Sequence, residues 1–459
     1  MIAVGNSKTK PVLRILLLAP GSDPNGITGP LIGYSHGEAL ARLHAVTIVI
    51  HRQNEEAVRR AQPSFHAIEV VSLPWLDRMY AWCFRRIFGN NYRSQALTAF
   101  NYLFCLAFER RAWRQTRRRI RAGEYDVVLR LLPISTVLPS LFAFFLRRGP
   151  IPFVIGPING GLPWPPGFSQ AEKQKEWISG LRDFYRFLPF AKSTYRNAAA
   201  ILAASSHTYD EFASYRDKLF FVPGENGINP GLYPTSSRNS PRGDKLELIF
   251  VGALVPYKAC DLAMRAAASL LKAGQARFTI VGDGPERGNL EQLARSLGIE
   301  KIVSFCGTLP HGEIIERLGA ADVLVFPSVH EFGGGVVFEA LAMGAVPVVV
   351  NFGGPGDIVH AEVGFKVPLT NEGDVVLQIE RVLTKLAQDP SLVNEMRQRG
   401  TRYARECLSW DAKAQIVTQV LTWTVKQGPK PDLVPPQMLD SRRTDDRMTH
   451  PLVVNTLPG

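Results

Sequence analysis

Apolar runs that end at glycine recur through the second half of this 459-residue chain, each followed by a stretch of helical spacing. Residues 246–252 alternate and then turn apolar, 278–282 run into Gly282-Asp283-Gly284, 303–307 end at Gly307, and 323–327 precede Gly333-Gly334-Gly335. Strand, glycine turn and helix repeated at this spacing predict a parallel, doubly wound α/β sheet. Residues 345–350, followed by Gly353-Gly354, continue the series. The first half carries the pattern more thinly, with strands expected over 12–19, 46–50, 125–130, 151–156 and 199–204, and a helix near 32–43.

The densest chemistry lies in His330-Glu331-Phe332-Gly333-Gly334-Gly335-Val336-Val337-Phe338-Glu339. The three glycines open a helix, whose free amides and positive dipole end attract phosphate, and glycine lets a ligand approach without meeting a Cβ. Glu339 falls about four residues into that helix, roughly 6 Å along its axis, while Glu331 stays on the loop before it. Each carboxylate accepts hydrogen bonds only, which suits hydroxyls on the two sides of a bound diphosphate.

This run resembles the Glu-x7-Glu motif of retaining glycosyltransferases of the glycogen-synthase-like superfamily, called family 4 or glycosyl transferases group 1. The resemblance implies the GT-B fold, two Rossmann-like doubly wound domains facing across a cleft. It gives Glu331 the donor sugar and Glu339 the nucleotide ribose. Gly252 through Lys258 is similar to the family's strand, Gly-Arg-Leu and Lys-Gly pattern, in which an Arg and a Lys hold the donor diphosphate; Lys258 fits the lysine, and Ala253 stands at the arginine. Gly282 and Gly307 are implied to line the base pocket. The resemblance is specific over residues 246–365 and thin before them. What it implies is transfer of a sugar from a nucleotide-diphosphate donor, a UDP- or GDP-sugar, to a hydroxyl of a glycan or lipid-linked acceptor with retained configuration. No cofactor or metal is required in that reading. Glu331 and Lys258 are the expected catalytic residues, and Gly252, Lys258, Gly282, Gly307, Glu331, Gly333, Gly334, Gly335 and Glu339 the expected donor contacts.

Composition narrows the setting. Hydrophobic residues at 46% and charged residues at 20% are those of a soluble globular chain, long enough for two or three domains. A net charge of +12 favours anionic partners. Five scattered cysteines, never spaced as Cys-x-x-Cys, point to a reduced cytosol, and no His or Cys pair has metal-ligand spacing. The apolar run 15–18 is too short for a signal-peptide core, and no run of some 18 apolar residues suggests a transmembrane helix.

In the first half, the loops after the strands are expected to face the acceptor. Gly26 and the Gly/Pro-rich loop containing Asn159, Gly160, Gly161 and Trp164 are the residues assigned there, with Trp164 placed to stack on a sugar ring. Between residues 75 and 121, eleven arginines alternate with aromatics against Asp77 and Glu109 alone, a composition suited to an anionic lipid surface. No signature of nucleic-acid binding accompanies it. The expected organisation is an acceptor domain over 1–235, a donor domain over 245–405, a helix over 409–426 packing back on the first domain, and a disordered tail over 428–459. Cytoplasmic placement with peripheral attachment to the inner face of the plasma membrane, in polysaccharide or cell-envelope glycoconjugate synthesis, follows from these readings. Two other classes stay open: a nucleotide-sugar epimerase of the same fold, and a catalytically weak membrane-associated interaction protein.

Overall fold

The computed structural model describes residues 12–83, 95–165, 168, 189–234 and 244–435, with side chains outside 80–100. Among these, the strands β1 (Arg14–Leu18), β2 (Ala45–His51), β3 (Ala67–Val71), β4 (Val127–Arg130), β5 (Phe153–Ile158), β6 (Ala200–Ala203) and β7 (Leu219–Phe221) form one parallel sheet in the order β3-β2-β1-β4-β5-β6-β7. The strands β8 (Leu246–Val251), β9 (Ala276–Val281), β10 (Val303–Gly307), β11 (Val323–Phe326), β12 (Val346–Val350) and β13 (Phe365–Val367) form a second, ordered β10-β9-β8-β11-β12-β13. Ile15 lies opposite both Val46 and Val127, and Val323 opposite both Leu248 and Val346. The strand order therefore reverses between β1 and β4, and between β8 and β11, the places where the following loops diverge and open α/β sheets bind ligands.

Burial explains the legibility of the central strands. Ile15 to Leu18 and Val323 to Val325 are fully buried, which a strand covered by helices on both faces achieves only with a continuous apolar run. The sequence reading omits β3, β7 and β13, and all three are sheet edges. β3 is mostly half-buried and carries Glu69, while β7 and β13 have three residues each. Short or half-buried edge strands leave little periodicity to read.

The chain divides into two compact units. The first holds the described residues up to Gly161, 189–225 and those from Lys413 on; the second holds 162–165, 168, 226–234 and 244–412. The chain therefore enters the second unit at Leu162, is back in the first by residue 189, and changes unit again at Asn226 and Lys413, where the sequence reading places boundaries near 235–245 and 405–409. Residues 235–243, the proposed linker, lie outside the described residues, as do 436–459 of the proposed disordered tail. Residues 428–435 are placed: Leu433 accepts a hydrogen bond at 2.9 Å from the Phe221 amide, and Lys430 donates to the Asp217 carbonyl at 2.6 Å. This stretch covers the open edge of β7, which would otherwise expose unpaired backbone groups. Within the helix Trp410–Thr424, Thr418 bonds His44 at 2.8 Å, Trp423 packs on Phe220, and Lys413 donates to the carbonyls of Pro223 and Gly224.

Of the basic segment, residues 84–94 with Arg85, Arg86 and Arg93 lie outside the described residues, and the helix Gln95–Arg121 has two faces. Cys105, Phe108, Glu109, Ala112, Thr116 and Ile120 are buried, whereas Arg110, Arg111, Arg114, Arg117, Arg118 and Arg121 are exposed. Three of the aromatics turn inward: Trp113 packs edge-on against Phe142 at 5.5 Å, and Phe104 meets His51 beside Phe108. Phe108 belongs to the core of the first sheet, and Phe104 and Trp113 are half-buried against it, whereas Trp75 is exposed. Among the described residues no helix is long and apolar enough to cross a membrane.

Candidate functional site

β11 delivers the chain through Ser328–Gly334 into the helix Gly335–Met343. Gly334 precedes this helix with φ 57°, a left-handed conformation that glycine adopts without a Cβ clash, and it has no side chain of its own to cap the helix. The following loop grips the turn from behind. The Gly354 amide donates to the Glu331 carbonyl at 3.0 Å, and a Cβ on Gly354 would lie 2.2 Å from the Phe332 carbonyl oxygen. Gly333 and Gly334 are buried, and Gly335 is half-buried.

Lys258 stands at the end of a single 3-10 turn, Pro256–Lys258, ahead of the helix Cys260–Lys272. Its ammonium pairs with Glu331 Oε2, and both side chains are more than four-fifths buried. Glu331 Oε1 accepts from the Gly334 amide at 3.2 Å. The carboxylate thus occupies the cation and a helix-end amide at once, the two groups that would hold an incoming anion. The connections 252–259 and 327–334 contain this one lysine and no arginine, and Ala253 is exposed.

Glu339 lies on the exposed side of the helix Gly335–Met343. Its Oε1 accepts from Tyr233 Oη at 3.3 Å and is 2.9 Å from His311 Nε2. The bond to Glu339 raises the His311 pKa above the usual imidazole value. Neither Tyr233 nor His311 is singled out by the sequence reading, because each sits far from Glu339 along the chain and belongs to no motif. The run Leu309-Pro310-His311 at a helix start was the available local signal.

Gly252, Gly282 and Gly307 end the neighbouring strands β8, β9 and β10. The Gly282 amide donates to the Gly307 carbonyl at 2.8 Å, and a Cβ on Gly282 would fall 1.9 Å from the Gly252 carbonyl oxygen. Close backbone approach alone requires glycine at 282, with or without a ligand.

The first-half assignments fare differently. Trp164 belongs to the second unit, where its ring lies face to face with His330 at 4.0 Å between centroids and 10° between planes. His330 also approaches the Leu162 carbonyl at 3.2 Å. With one face covered by an imidazole, Trp164 is packed beside the Glu331 loop within the second unit. Asn159 is 6% exposed, and its Oδ1 accepts from Ser205 Oγ at 2.8 Å, Thr208 Oγ1 at 3.2 Å and the Gly160 amide at 3.0 Å. That carbonyl is committed to holding the β5 and β6 loops together, so Asn159 shapes the rim and its Oδ1 offers no free acceptor. A Cβ on Gly160 would lie 2.9 Å from Thr136 Oγ1, and one on Gly161 2.7 Å from Glu211 Oε2. Gly26 closes a turn in which its amide donates to the Asp23 carbonyl at 3.2 Å. Among the described residues no cluster of three His, Cys, Asp or Glu side chains could hold a metal.

The chain is similar to known proteins over part of its length. Residues 235–406 match the family described as glycosyl transferases group 1. An uncharacterised glycosyltransferase of Methanocaldococcus jannaschii is 30% identical over 243 residues, covering 50% of this chain and 60% of that protein. A D-inositol 3-phosphate glycosyltransferase of Streptomyces avermitilis is 34% identical over 249 residues, 49% of this chain and 52% of that protein. The chain thus spans little more than half the length of these relatives. Anabaena HepE, solved in complex with UDP, superposes over 90% of this chain and 100% of its own with a TM-score of 0.58 at 16% identity. The two doubly wound sheets are those of the GT-B fold.

Proposed function

We infer, from the premise that residues 235–406 belong to the glycosyl transferases group 1 family, that this protein is a retaining glycosyltransferase. Its donor is a UDP- or GDP-sugar, and its acceptor a hydroxyl of a glycan or glycolipid in polysaccharide or cell-envelope synthesis. The observation that carries this reading is the assembly of Lys258, Glu331, Glu339 and the Gly333–Gly335 turn at one strand-end rim of the second unit. That HepE was solved with UDP supports a nucleotide donor.

The chemistry follows from charge. The bond between the anomeric carbon and the distal phosphate oxygen breaks, and negative charge grows on the departing diphosphate. Lys258 and the amides at the helix start stabilise that charge in place before it forms. To reach them the diphosphate displaces Glu331, whose carboxylate is then free to accept hydrogen bonds from the sugar hydroxyls. The acceptor oxygen joins the anomeric carbon on the face the diphosphate leaves, and its proton passes to the departing phosphate oxygen. Positioning and electrostatics suffice, with no residue routed through a covalent intermediate.

Six exposed arginines on the helix Gln95–Arg121 support peripheral attachment to an anionic membrane surface on the cytoplasmic side. Co-sedimentation with vesicles that does not increase with acidic lipid content refutes the attachment.

Calorimetric titration of UDP, GDP and ADP into the wild-type protein and Lys258→Ala tests the donor site. One nucleotide binds selectively, and with its sugar form Lys258→Ala loses about ten- to 150-fold in kcat/KM, the loss of one charge-assisted hydrogen bond. Ala253, in place of a second cation, favours the interaction-protein reading if no nucleotide binds. Conversion of the donor sugar without any acceptor would instead identify an epimerase.

A further inference from the structure

Glu339 is held by two side chains that reach it from distant parts of the chain. Tyr233 lies after the 3-10 turn Pro230–Leu232, in a loop whose backbone is fixed by Arg405, which donates to the Tyr233 carbonyl at 2.8 Å. Its ring is 6% exposed and meets the His311 ring edge-on at 6.5 Å. Both polar tips converge on a single oxygen, Glu339 Oε1, from 3.3 Å (Tyr233 Oη) and 2.9 Å (His311 Nε2). A carboxylate oxygen has two lone pairs, so Oε1 is saturated, while Oε2 has no partner among the described residues. Burial and the neighbouring carboxylate push the Tyr233 phenol far above its usual value, so it remains a donor to Oε1.

We propose that Tyr233 and His311 are positioning residues that fix Glu339 with one oxygen free for a ribose hydroxyl, making the site selective for ribonucleotides over their deoxy forms. The proposal rests on the donor reading above and adds to it the part of the donor that is discriminated and the residues that discriminate. The physical basis is the asymmetry of hydrogen bonding. A carboxylate already fixed in direction loses little entropy on taking up the hydroxyl, and a ligand lacking that hydroxyl leaves Oε2 desolvated without a donor. Without the two Oε1 bonds, the Glu339 side chain returns to its several exposed rotamers and keeps its contact with water whichever ligand binds.

The experiment is calorimetric titration of UDP and GDP, each beside its 2′-deoxy and 3′-deoxy forms, into the full chain and into Tyr233→Phe, His311→Ala and His311→Gln. The wild type is expected to prefer the ribonucleotide over at least one deoxy form by about tenfold. Tyr233→Phe and His311→Ala should weaken the ribonucleotide and relieve the penalty on the deoxy form, so that the preference falls to about threefold or less. His311→Gln, whose amide nitrogen can replace Nε2 as donor, should keep it. A wild type with no preference, or variants that weaken ribo and deoxy forms in parallel, overturns the proposal while leaving the donor site standing. Absence of any UDP or GDP binding by the wild type overturns the donor reading itself and this proposal with it.

Discussion

The two units place their charges in opposite ways. In the first, Glu109 on the helix Gln95–Arg121 is buried against Arg130 at the end of β4, 3.4 Å from Nε, and accepts from Ser140 Oγ and the amides of Leu141 and Phe142 at 2.7, 2.6 and 3.2 Å. Burial raises its pKa, and the guanidinium and these donors oppose the shift. Lys413 is likewise enclosed, its amine turned to two backbone carbonyls. In the second unit, Lys258–Glu331 and His311–Glu339 sit at the strand-end rim and keep part of each side chain exposed. Similar ionic chemistry is sealed in the core of one unit and left partly open at the rim of the other.

Truncations should separate these roles. Glu109→Ala strands Arg130 in the core and is expected to lower the stability of the first unit by about 3 to 5 kcal/mol, measured by chemical denaturation. Denaturation midpoints equal to wild type would show that the pair is dispensable and break the comparison. Glu331→Ala belongs to the other class. It should reduce turnover by roughly two orders of magnitude with nucleotide affinity little changed, whereas Glu339→Ala should weaken nucleotide binding first. Steady-state kinetics with parallel binding curves check the pair, and the reverse pattern would exchange the two roles.

A pH titration of stability probes the buried amine. Burial lowers the Lys413 pKa from 10.5 to about 7, with Glu225 pulling it back up. Between these values the unfolded chain carries a proton that the folded chain lacks. This group's contribution therefore rises with pH across that window, by at most about 1.4 kcal/mol per pH unit, and is absent below it. Lys413→Met should flatten the slope; a slope unchanged in that variant would assign it to other groups. The smallest effect concerns the backbone ahead of the helix Cys260–Lys272. Ala259 takes φ 51°, which costs an L-residue and not glycine, so Ala259→Gly should stabilise the second unit by about half a kcal/mol in thermal unfolding.

How much was legible depends on how local the signal is. Glu331, the glycine triplet and Glu339 lie within one loop and one helical turn, so their spacing along the chain determines their spacing in space. The central strands were equally legible, because burial on both faces demands a run of apolar residues. The unit to which Trp164 belongs was not legible, because a Gly/Pro loop has no period from which to infer a facing surface and its partner His330 comes from a loop far along the chain. The basic segment was half-legible. Its arginines read as a charged stripe, but which aromatics turn inward was decided by Phe142 and His51 on other elements.

By itself the sequence determined the doubly wound architecture, the glycine turn opening a helix and the carboxylates flanking it, since periodicity and short-range spacing are properties of contiguous residues. Only the tertiary structure decided that Lys258 meets Glu331, that Tyr233 and His311 saturate one oxygen of Glu339, and that Asn159 holds two loops together. Those contacts join residues separated by tens to more than a hundred positions, and chain order carries no distance information at that range until the sheets have brought their strand ends together.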